Sequence, residues 1–382
     1  MKRLSIRREW QSFDFILLLL VCAFTVFGIM MIGAAMYYYD KTAISGTYTT
    51  QKLFFATGLG VLILFTAVDY RFIARFNWLI YALMIILLCV VMVIGSDDIT
   101  HTARWIRLGG GNRFAIQPSE FSKIFIIIFL AKFIDNNQNS INNIGTLGIT
   151  AGLVIIPVGL IWMQPALSAC LVIAAIAVCI IFTSGLKFRY ILIAMLIIAA
   201  VITLFAWDLH NSPHLFIDKV LGNYQMSRIQ TFRNPDIKGE DYYQTKQSLR
   251  SIGSGMLKGK GYKQGTIIPM AANDFIFSVI GEQFGFTGCA CVLFAIFLII
   301  SKCILIANRA PDMLGRLIAM GVAGKLAFEV FVNVGVATDI LPNTGMPFPF
   351  LSSGGSSLWV NMACIGLVLN VGLFKAKSIF KE

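Results

Sequence analysis

Charged residues are scarce in this chain, so the few that lie in or beside apolar stretches are the first candidates for chemistry. They make up 13% of the sequence, and each costs about 2.5–3.5 kcal/mol at the centre of a membrane helix. The candidates are Glu120, Lys123, Asp274, Glu282, Lys325 and Glu329. Because they are costly, we treat each of them as a candidate for function.

Asp274 is the candidate for a general base. It begins an apolar stretch directly after a long polar segment. A helix N-terminus favours the charged carboxylate, whereas apolar surroundings raise its pKa, and a base can be tuned between these effects. A simple helix cap or first-turn acid is the alternative, and the sequence leaves both interpretations open.

The other charges are spaced for pairing along helices. Lys325 and Glu329 are four residues apart, and Glu120 and Lys123 are three apart, so each couple shares a helical face. Glu120 also follows Pro118, and a carboxylate in a first turn suits the positive helix end. Structural pairing and a helix start are therefore alternatives to a binding role.

A glycine-rich segment at 253–261 reads GSGMLKGKG. Its backbone can approach a phosphate closely, while Lys258 and Lys260 supply positive charge. It lacks the Lys-Ser/Thr ending of a P-loop.

A second segment, PFPFLSSGGSS at 347–357, carries no charge. It cannot form a regular helix before its glycines, and non-helical backbone at membrane depth must line a cavity or be buried in protein. Its hydroxyl groups belong to Ser352, Ser353, Ser356 and Ser357.

Membrane helices must position all these residues. The chain has 382 residues, of which 57% are hydrophobic, and its charged fraction is about half of the ~25% usual for soluble domains. Apolar runs of about 20 residues recur, as membrane-spanning helices require. We predict spans at about 15–36, 53–68, 78–95, 121–134, 145–163, 166–184, 189–206, 274–301, 314–338 and 357–374.

The prediction is therefore an all-α polytopic bundle of about ten transmembrane helices. We expect residues 1–382 to form a single integral membrane domain, with 207–273 as a large extracytoplasmic loop. Two spans are marginal, because 121–134 is short and carries Lys123, and only Gln164-Pro165 separates 145–163 from 166–184. The last two together far exceed one crossing, so we count them as two.

Basic residues predict the orientation of the bundle and the kind of ligand. They collect on the short segments that lie inside when the N-terminus is inside, which places both termini in the cytoplasm. The net charge of +12 is thus explained by topology, without nucleic acid as a partner. The outer segments nevertheless keep bases, among them Arg104, Lys258 and Lys260, which suggests an anionic ligand on the outer face.

Metal and disulfide chemistry have no support in the sequence. The eight cysteines all lie in apolar stretches, without CxxC spacing and without a histidine nearby. Acids, bases and backbone donors beside membrane helices suit a lipid-linked anionic substrate such as a diphosphate, and no soluble-nucleotide site is evident.

Eight motifs in this order resemble the SEDS family (shape, elongation, division and sporulation), of the RodA, FtsW and SpoVE type. The resemblance covers roughly residues 100–360, nearly the whole bundle. The motifs are RWI at 104–106, QPSEFSK at 117–123, QP at 164–165, QTKQS at 244–248, IGSG at 252–255, GKG at 259–261, DFIF with IGE at 274–282, and PFLSSGGSS at 349–357.

The resemblance implies a peptidoglycan glycosyltransferase that polymerises lipid II at the outer face of the bacterial cytoplasmic membrane, in cell shape, elongation, division or sporulation. It implies a class B penicillin-binding protein as partner and matches the family's essential acid with Asp274. No cofactor is certain, and a divalent cation stays open. The residues expected to bind substrate are Arg104, Glu120, Lys123, Lys258, Lys260, Gln264, Ser352, Ser353 and Ser356.

The chain departs from the family pattern at two places. It reads QPALS at 164–168 where members commonly have QPDLG, and PMAAN at 269–273 where PE-x-HT is usual. These changes mark a divergent member. Two other functions therefore stay open: a lipid II flippase or related transporter, which would use the same cavity, and a non-catalytic scaffold for a penicillin-binding protein. A polymerase needs the carboxylate of Asp274, whereas a flippase tolerates Asn at this position. The function of a scaffold does not depend on this side chain.

Overall fold

Helices account for nearly all of the regular secondary structure among the described residues. The computed structural model describes residues 6–37, 41–95, 104–107, 115–187, 240–266 and 268–376, together with scattered positions between 189 and 232. The helices are α1 (Phe15–Ala35), α2 (Lys41–Ala67), α3 (Tyr70–Arg75), α4 (Asn77–Ile94), α5 (Pro118–Asn136), α6 (Ile144–Trp162), α7 (Leu167–Thr183), α8 (Glu240–Ser254), α9 (Ile276–Arg309), α10 (Met313–Ala337) and α11 (Gly355–Gly372).

Short polar residues mark several helix starts. The Asp14 carboxylate accepts a hydrogen bond from the N–H of Leu17, and Asp312 does the same for Gly315. Each cap satisfies one of the backbone donors that a helix start leaves without a partner. A cap followed by a long apolar run therefore sets where α1 and α10 begin.

Seven helices within the described residues are long and apolar enough to cross a membrane: α1, α2 from Gly46, α4, α6, α9, α10 and α11. The chain is therefore a multi-pass membrane protein, as predicted. The stretches 145–163 and 166–184 are separate helices, α6 and α7. Most of the predicted span 189–206 lies outside the described residues, so the count of ten stays a prediction, as does the division into one domain with a large loop at 207–273.

The centre of the bundle is formed by α5, α10 and α11. Most residues of α11 are buried, and it packs against α2, α5, α9 and α10. The peripheral helices α4 and α6 expose large apolar side chains such as Leu79, Val93 and Ile155, as lipid-facing helices do. The marginal stretch 121–134 belongs to α5, whose polar residues near its start, from Ser119 to Lys123, are buried in protein.

Two short strand pairs occur among the described residues. Strand β1 (Ile6–Arg8) pairs antiparallel with β4 (Phe374–Ala376), so the first and last described segments meet at one end of the bundle. The Arg8 guanidinium strengthens this junction by donating to the carbonyls of Thr66 and Ala67 at the end of α2. Strands β2 (Ile106–Arg107) and β3 (Ala115–Ile116) pair next to α5.

Helix α9 is interrupted at Gly285, where φ is 65° and ψ is −162°. The carbonyls of Glu282 and Gln283 would normally accept from the N–H groups four residues later, but they accept instead from Lys260 and Gly261. The amides of Phe286 and Thr287 in turn donate to carbonyls of residues 256 and 257. Residues 256–261 therefore supply all the partners that the break removes from α9.

Candidate functional site

A cavity of about 310 Å³ collects most of the residues that the sequence singled out. Its wall comes from the segment before β2, the start of α5, the α6–α7 junction, the turn before α9, and residues 342–347 and 353–357. The predicted site residues among those lining it are Arg104, Glu120, Lys123, Asp274, Ser353 and Ser356.

Asp274 lies in the turn before α9 and is not a helix cap. The N-cap residue is Phe275, no side chain caps the helix, and its first turn holds no acid. The interpretation of Asp274 as a cap or first-turn acid is therefore wrong. Its backbone N–H donates to the carbonyl of Met270, and its own carbonyl accepts from the side-chain amide of Asn333 at 2.8 Å.

Arg228 stands beside the Asp274 carboxylate, with Gly345 next to both. A Cβ on Gly345 would lie 3.5 Å from Nη1 of Arg228 and 3.5 Å from Oδ2 of Asp274. The guanidinium also donates to the carbonyl of Asn343 at 3.0 Å. Burial raises the pKa of Asp274 to about 6, while the positive charge of Arg228 opposes that rise. Asp274 is thus mainly ionised at neutral pH and still able to take up a proton.

Four buried charges form one chain of ion pairs, here called the charge ladder, and two of them, Glu120 and Lys123, line the cavity. Lys123 donates to Glu120 at 2.6 Å and to Glu329 at 2.9 Å, and Lys325 donates to Glu329 at 2.8 Å. Lys325 also contacts the side-chain oxygen of Asn361 on α11. The two couples predicted from the sequence are therefore joined, because α5 packs against α10. Oε2 of Glu120 has no partner among the described residues.

Backbone contacts hold the other predicted residues of the cavity. Arg104 donates to the carbonyls of Gln164 at 2.9 Å and Pro165 at 2.6 Å, at the α6–α7 junction. The Ser356 hydroxyl accepts from the N–H of Gln117 at 3.1 Å, and the N–H of Ser353 donates to the carbonyl of residue 272 at 2.8 Å.

The serine- and glycine-rich segment behaves as the sequence predicted. Helix α11 starts only at Gly355, and the preceding Gly354 has φ of 155°. The irregular backbone before it contributes to the cavity wall, which satisfies the requirement that non-helical backbone at this depth line a cavity or be buried.

Four predicted binding residues do not line this cavity: Lys258, Lys260, Gln264 and Ser352. Lys258 and Gln264 are exposed, and Lys260 pairs with Glu282 of α9 at 2.6 Å. The Ser352 hydroxyl accepts from the N–H of Phe348 within a buried turn. Their predicted binding role gains no support from this placement. The glycines at 255, 259 and 285 serve the close contact with α9.

Sequence reasoning missed Arg228, Asn333 and Gly345. Arg228 was one base among several in a long loop, and nothing in its neighbours distinguished it. Asn333 had a usable signal, since it is a polar residue in the apolar run of α10.

Metal ligands do not cluster in the part of the chain that the structure describes, where no three His, Cys, Asp or Glu side chains converge. The charged oxygen donors of the cavity are Glu120 and Asp274. A divalent cation there would take most of its ligands from outside the protein, as Mg²⁺ commonly does from water and phosphate groups.

Comparison with known proteins identifies the relatives of this chain. The family model described as cell cycle protein, of the FtsW, RodA and SpoVE type, matches residues 14–377. The probable peptidoglycan glycosyltransferase FtsW of Trichlorobacter lovleyi is 32% identical over 371 residues, covering 94% of this chain and 93% of that protein. Stage V sporulation protein E of Bacillus subtilis is 32% identical over 377 residues, covering 94% and 97%.

A solved structure shares the fold. A chain from a study titled "Structural coordination of polymerization and crosslinking by a peptidoglycan synthase complex" superposes with a TM-score of 0.79 at 27% identity. The match covers 95% of this chain and 98% of that one, so the similarity extends across the whole bundle.

Proposed function

The chain belongs to the FtsW, RodA and SpoVE family of cell cycle proteins, and from this premise we propose that it is a peptidoglycan glycosyltransferase that polymerises lipid II. The observation that carries the proposal is the Asp274 carboxylate, which lines the cavity beside Arg228. No side chain among the described residues donates a hydrogen bond to it, so its oxygens are available to a substrate.

The reaction requires one base and a stabilised leaving group. The 4-hydroxyl of the acceptor GlcNAc attacks the anomeric carbon of a donor MurNAc, and Asp274 takes the hydroxyl proton as the new C–O bond forms. The bond from the anomeric carbon to the diphosphate breaks, and undecaprenyl diphosphate leaves with the electron pair. Arg104 and Arg228 are the cavity cations outside the charge ladder, so they are placed to stabilise the departing diphosphate.

The charge ladder suits such a site. Its two acids and two lysines neutralise one another, so together they add little net field to the cavity. The charges that act on the substrate are then those of Asp274, Arg104 and Arg228. The cavity wall adds contacts to the substrate from Glu120, Lys123, Ser353 and Ser356.

We also propose that both termini lie in the cytoplasm, that the cavity opens to the outer side of the bacterial cytoplasmic membrane, and that a class B penicillin-binding protein is the partner. Pairing of β1 with β4 supports placing both termini on one side. The test is labelling of single cysteines introduced at exposed Lys258 or Lys187 in a cysteine-free variant. We expect an impermeant reagent added outside to label position 258 and not position 187. The reverse pattern contradicts this orientation.

The activity is tested by incubating the purified protein with labelled lipid II, with and without its partner and with and without chelator. Glycan ladders that disappear in Asp274→Asn support the polymerase. Lipid II movement across vesicles without ladders supports a flippase. Activity that comes only from the partner and persists in Asp274→Asn supports a scaffold.

A further inference from the structure

A buried amide on α10 connects the Asp274 turn to residues 342–347, whose Asn343 carbonyl accepts a hydrogen bond from Arg228. We propose that Asn333 is a positioning residue that fixes Asp274 and residues 342–347, here called the cavity loop, in one arrangement and so places Asp274 against Arg228. The inference rests on the proposed function, because it concerns the base of that reaction.

The hydrogen bonds of Asn333 leave one possible orientation of its side chain. Nδ2 donates to the carbonyl of Asp274 at 2.8 Å and to the carbonyl of Met346 at 2.7 Å. Both partners are acceptors, so only the amide nitrogen can face them. The residue is 1% exposed, and its Oδ1 has no partner among the described residues. The two hydrogen bonds to carbonyls therefore fix the side chain of Asn333, since its own oxygen makes none with the described residues.

The cavity loop continues this connection to Arg228. The carbonyl of Asn343 accepts from the Arg228 guanidinium at 3.0 Å, and the N–H of Gly345 donates to the Asn343 side chain at 3.1 Å. Gly345, with φ of 68°, lies between this contact and Met346. The loop therefore accepts a hydrogen bond from Arg228 at residue 343 and another from Asn333 at residue 346. Between them, Gly345 lies next to the Asp274 carboxylate.

The other charges that line the cavity are held independently of this loop. Lys123 and Glu120 belong to the charge ladder, and Arg104 is hydrogen-bonded to backbone carbonyls at the α6–α7 junction. Four charged groups among the described residues share the cavity with Asp274, and of these Arg228 alone is connected to it through Asn333 and the cavity loop. Releasing the loop should therefore change the distance between Arg228 and Asp274 and leave the other three in place.

The test compares Asn333→Leu with Asn370→Leu in glycan synthesis across a pH range. Asn370 is a matched control: it is buried on α11, donates to the carbonyl of Thr66 and accepts from the N–H of Tyr70, near the paired termini. For Asn333→Leu we expect a rate about 10²-fold lower, as misplacement of a catalytic group produces. We also expect the acid limb of the pH profile to move upward by about one unit, because a nearby cation lowers a carboxyl pKa by ~1–3 units. Asn370→Leu should lose thermal stability with an unchanged acid limb.

A second variant keeps the test decisive if Asn333→Leu does not fold. Gly345→Ala strains the loop at its left-handed position without touching Asn333, and the same upward movement of the acid limb is expected. An unchanged acid limb in either folded variant overturns the inference. Failure of the proposed function is recognised separately, since wild type and Asp274→Asn would then behave alike.

Discussion

The charge ladder and the Asp274–Arg228 pair hold the same kinds of side chain in opposite arrangements. In the ladder, acids and lysines project from α5 and α10 and meet at 2.6–2.9 Å. Asp274 and Arg228 lie on segments between the membrane helices, and the Asp274 carboxylate accepts no hydrogen bond from the described residues. Each charge of the ladder is thus directly bonded to an opposite charge, whereas Asp274 is left available.

This difference separates a structural role from a chemical one. Buried charges are tolerated when they are paired and hydrogen-bonded, and removing one partner leaves the other uncompensated. An acid whose pKa is raised toward neutral pH by burial, and which has no fixed hydrogen-bond donor, is suited to exchange a proton. Charge type alone therefore does not identify the site, but the state of pairing does.

The largest effect is expected from Asp274→Asn. Asparagine keeps the shape of the side chain but cannot accept the proton, and general acid–base groups contribute about 10²–10⁴-fold. Glycan ladders should nearly vanish while folding and lipid II binding persist. The matched control is Glu282→Gln on α9, which loses its pair with Lys260 and should lower stability more than rate. A folded Asp274→Asn protein with near wild-type polymerisation removes Asp274 from the role of base.

Breaking the ladder at Glu329, which does not line the cavity, should affect folding more than chemistry. Glu329→Gln leaves Lys123 and Lys325 with excess positive charge in the bundle, and such a change costs about 3–5 kcal/mol. Thermal unfolding of the purified protein in detergent measures the loss. The comparison variant is Lys302→Met, which removes a half-exposed pair with Asp14 and should cost about 1 kcal/mol or less. Equal losses in the two variants would mean that the ladder is not a buried network.

The pH dependence of synthesis should reflect the surroundings of Asp274. The base works when deprotonated, so the rate should fall as pH drops through its pKa of about 6. Arg228→Gln removes the charge that opposes the effect of burial, which raises the pKa and moves the loss of activity to higher pH by about one unit or more. The measurement is the dependence of the rate on pH for the wild type and for Arg228→Gln. If the acid limb lies at the same pH in the two proteins, Arg228 does not face the base during the reaction.

The sequence predicts the helices better than the contacts between them. Long apolar runs mark α1, α9 and α10 without further information, because the bilayer requires about 20 apolar residues per crossing. Asp274 is also identifiable, as an acid where a polar loop meets an apolar span. Spacing within one helix shows that Lys325 can reach Glu329, but nothing in the sequence shows that Lys123 reaches the same acid from another helix.

The glycine-rich segment shows a second limit. The glycines of GSGMLKGKG show that another group can lie close to this backbone. They do not show whether that group is a ligand or another part of the protein. In the structure the approaching group is α9 at its break, where residues 256–261 replace the missing helical hydrogen bonds. The nature of such a contact depends on tertiary structure and not on local sequence.

The smallest expected effect concerns Lys258 of that segment and tests whether binding is confined to the cavity. Lys258 is exposed and outside the cavity wall, so Lys258→Ala should change lipid II affinity less than about twofold, because exposed charges contribute little and salt screens them. Arg104→Ala removes a cation that lines the cavity and should weaken binding about tenfold, within the range of hydrogen bonds to charged groups. The measurement is the affinity of each variant for lipid II at low and at high salt, with Lys187→Ala as an inner-face control. If Lys258→Ala weakens binding as much as Arg104→Ala, the substrate extends over the glycine-rich segment, and the diphosphate site includes the outer loop as the sequence first suggested.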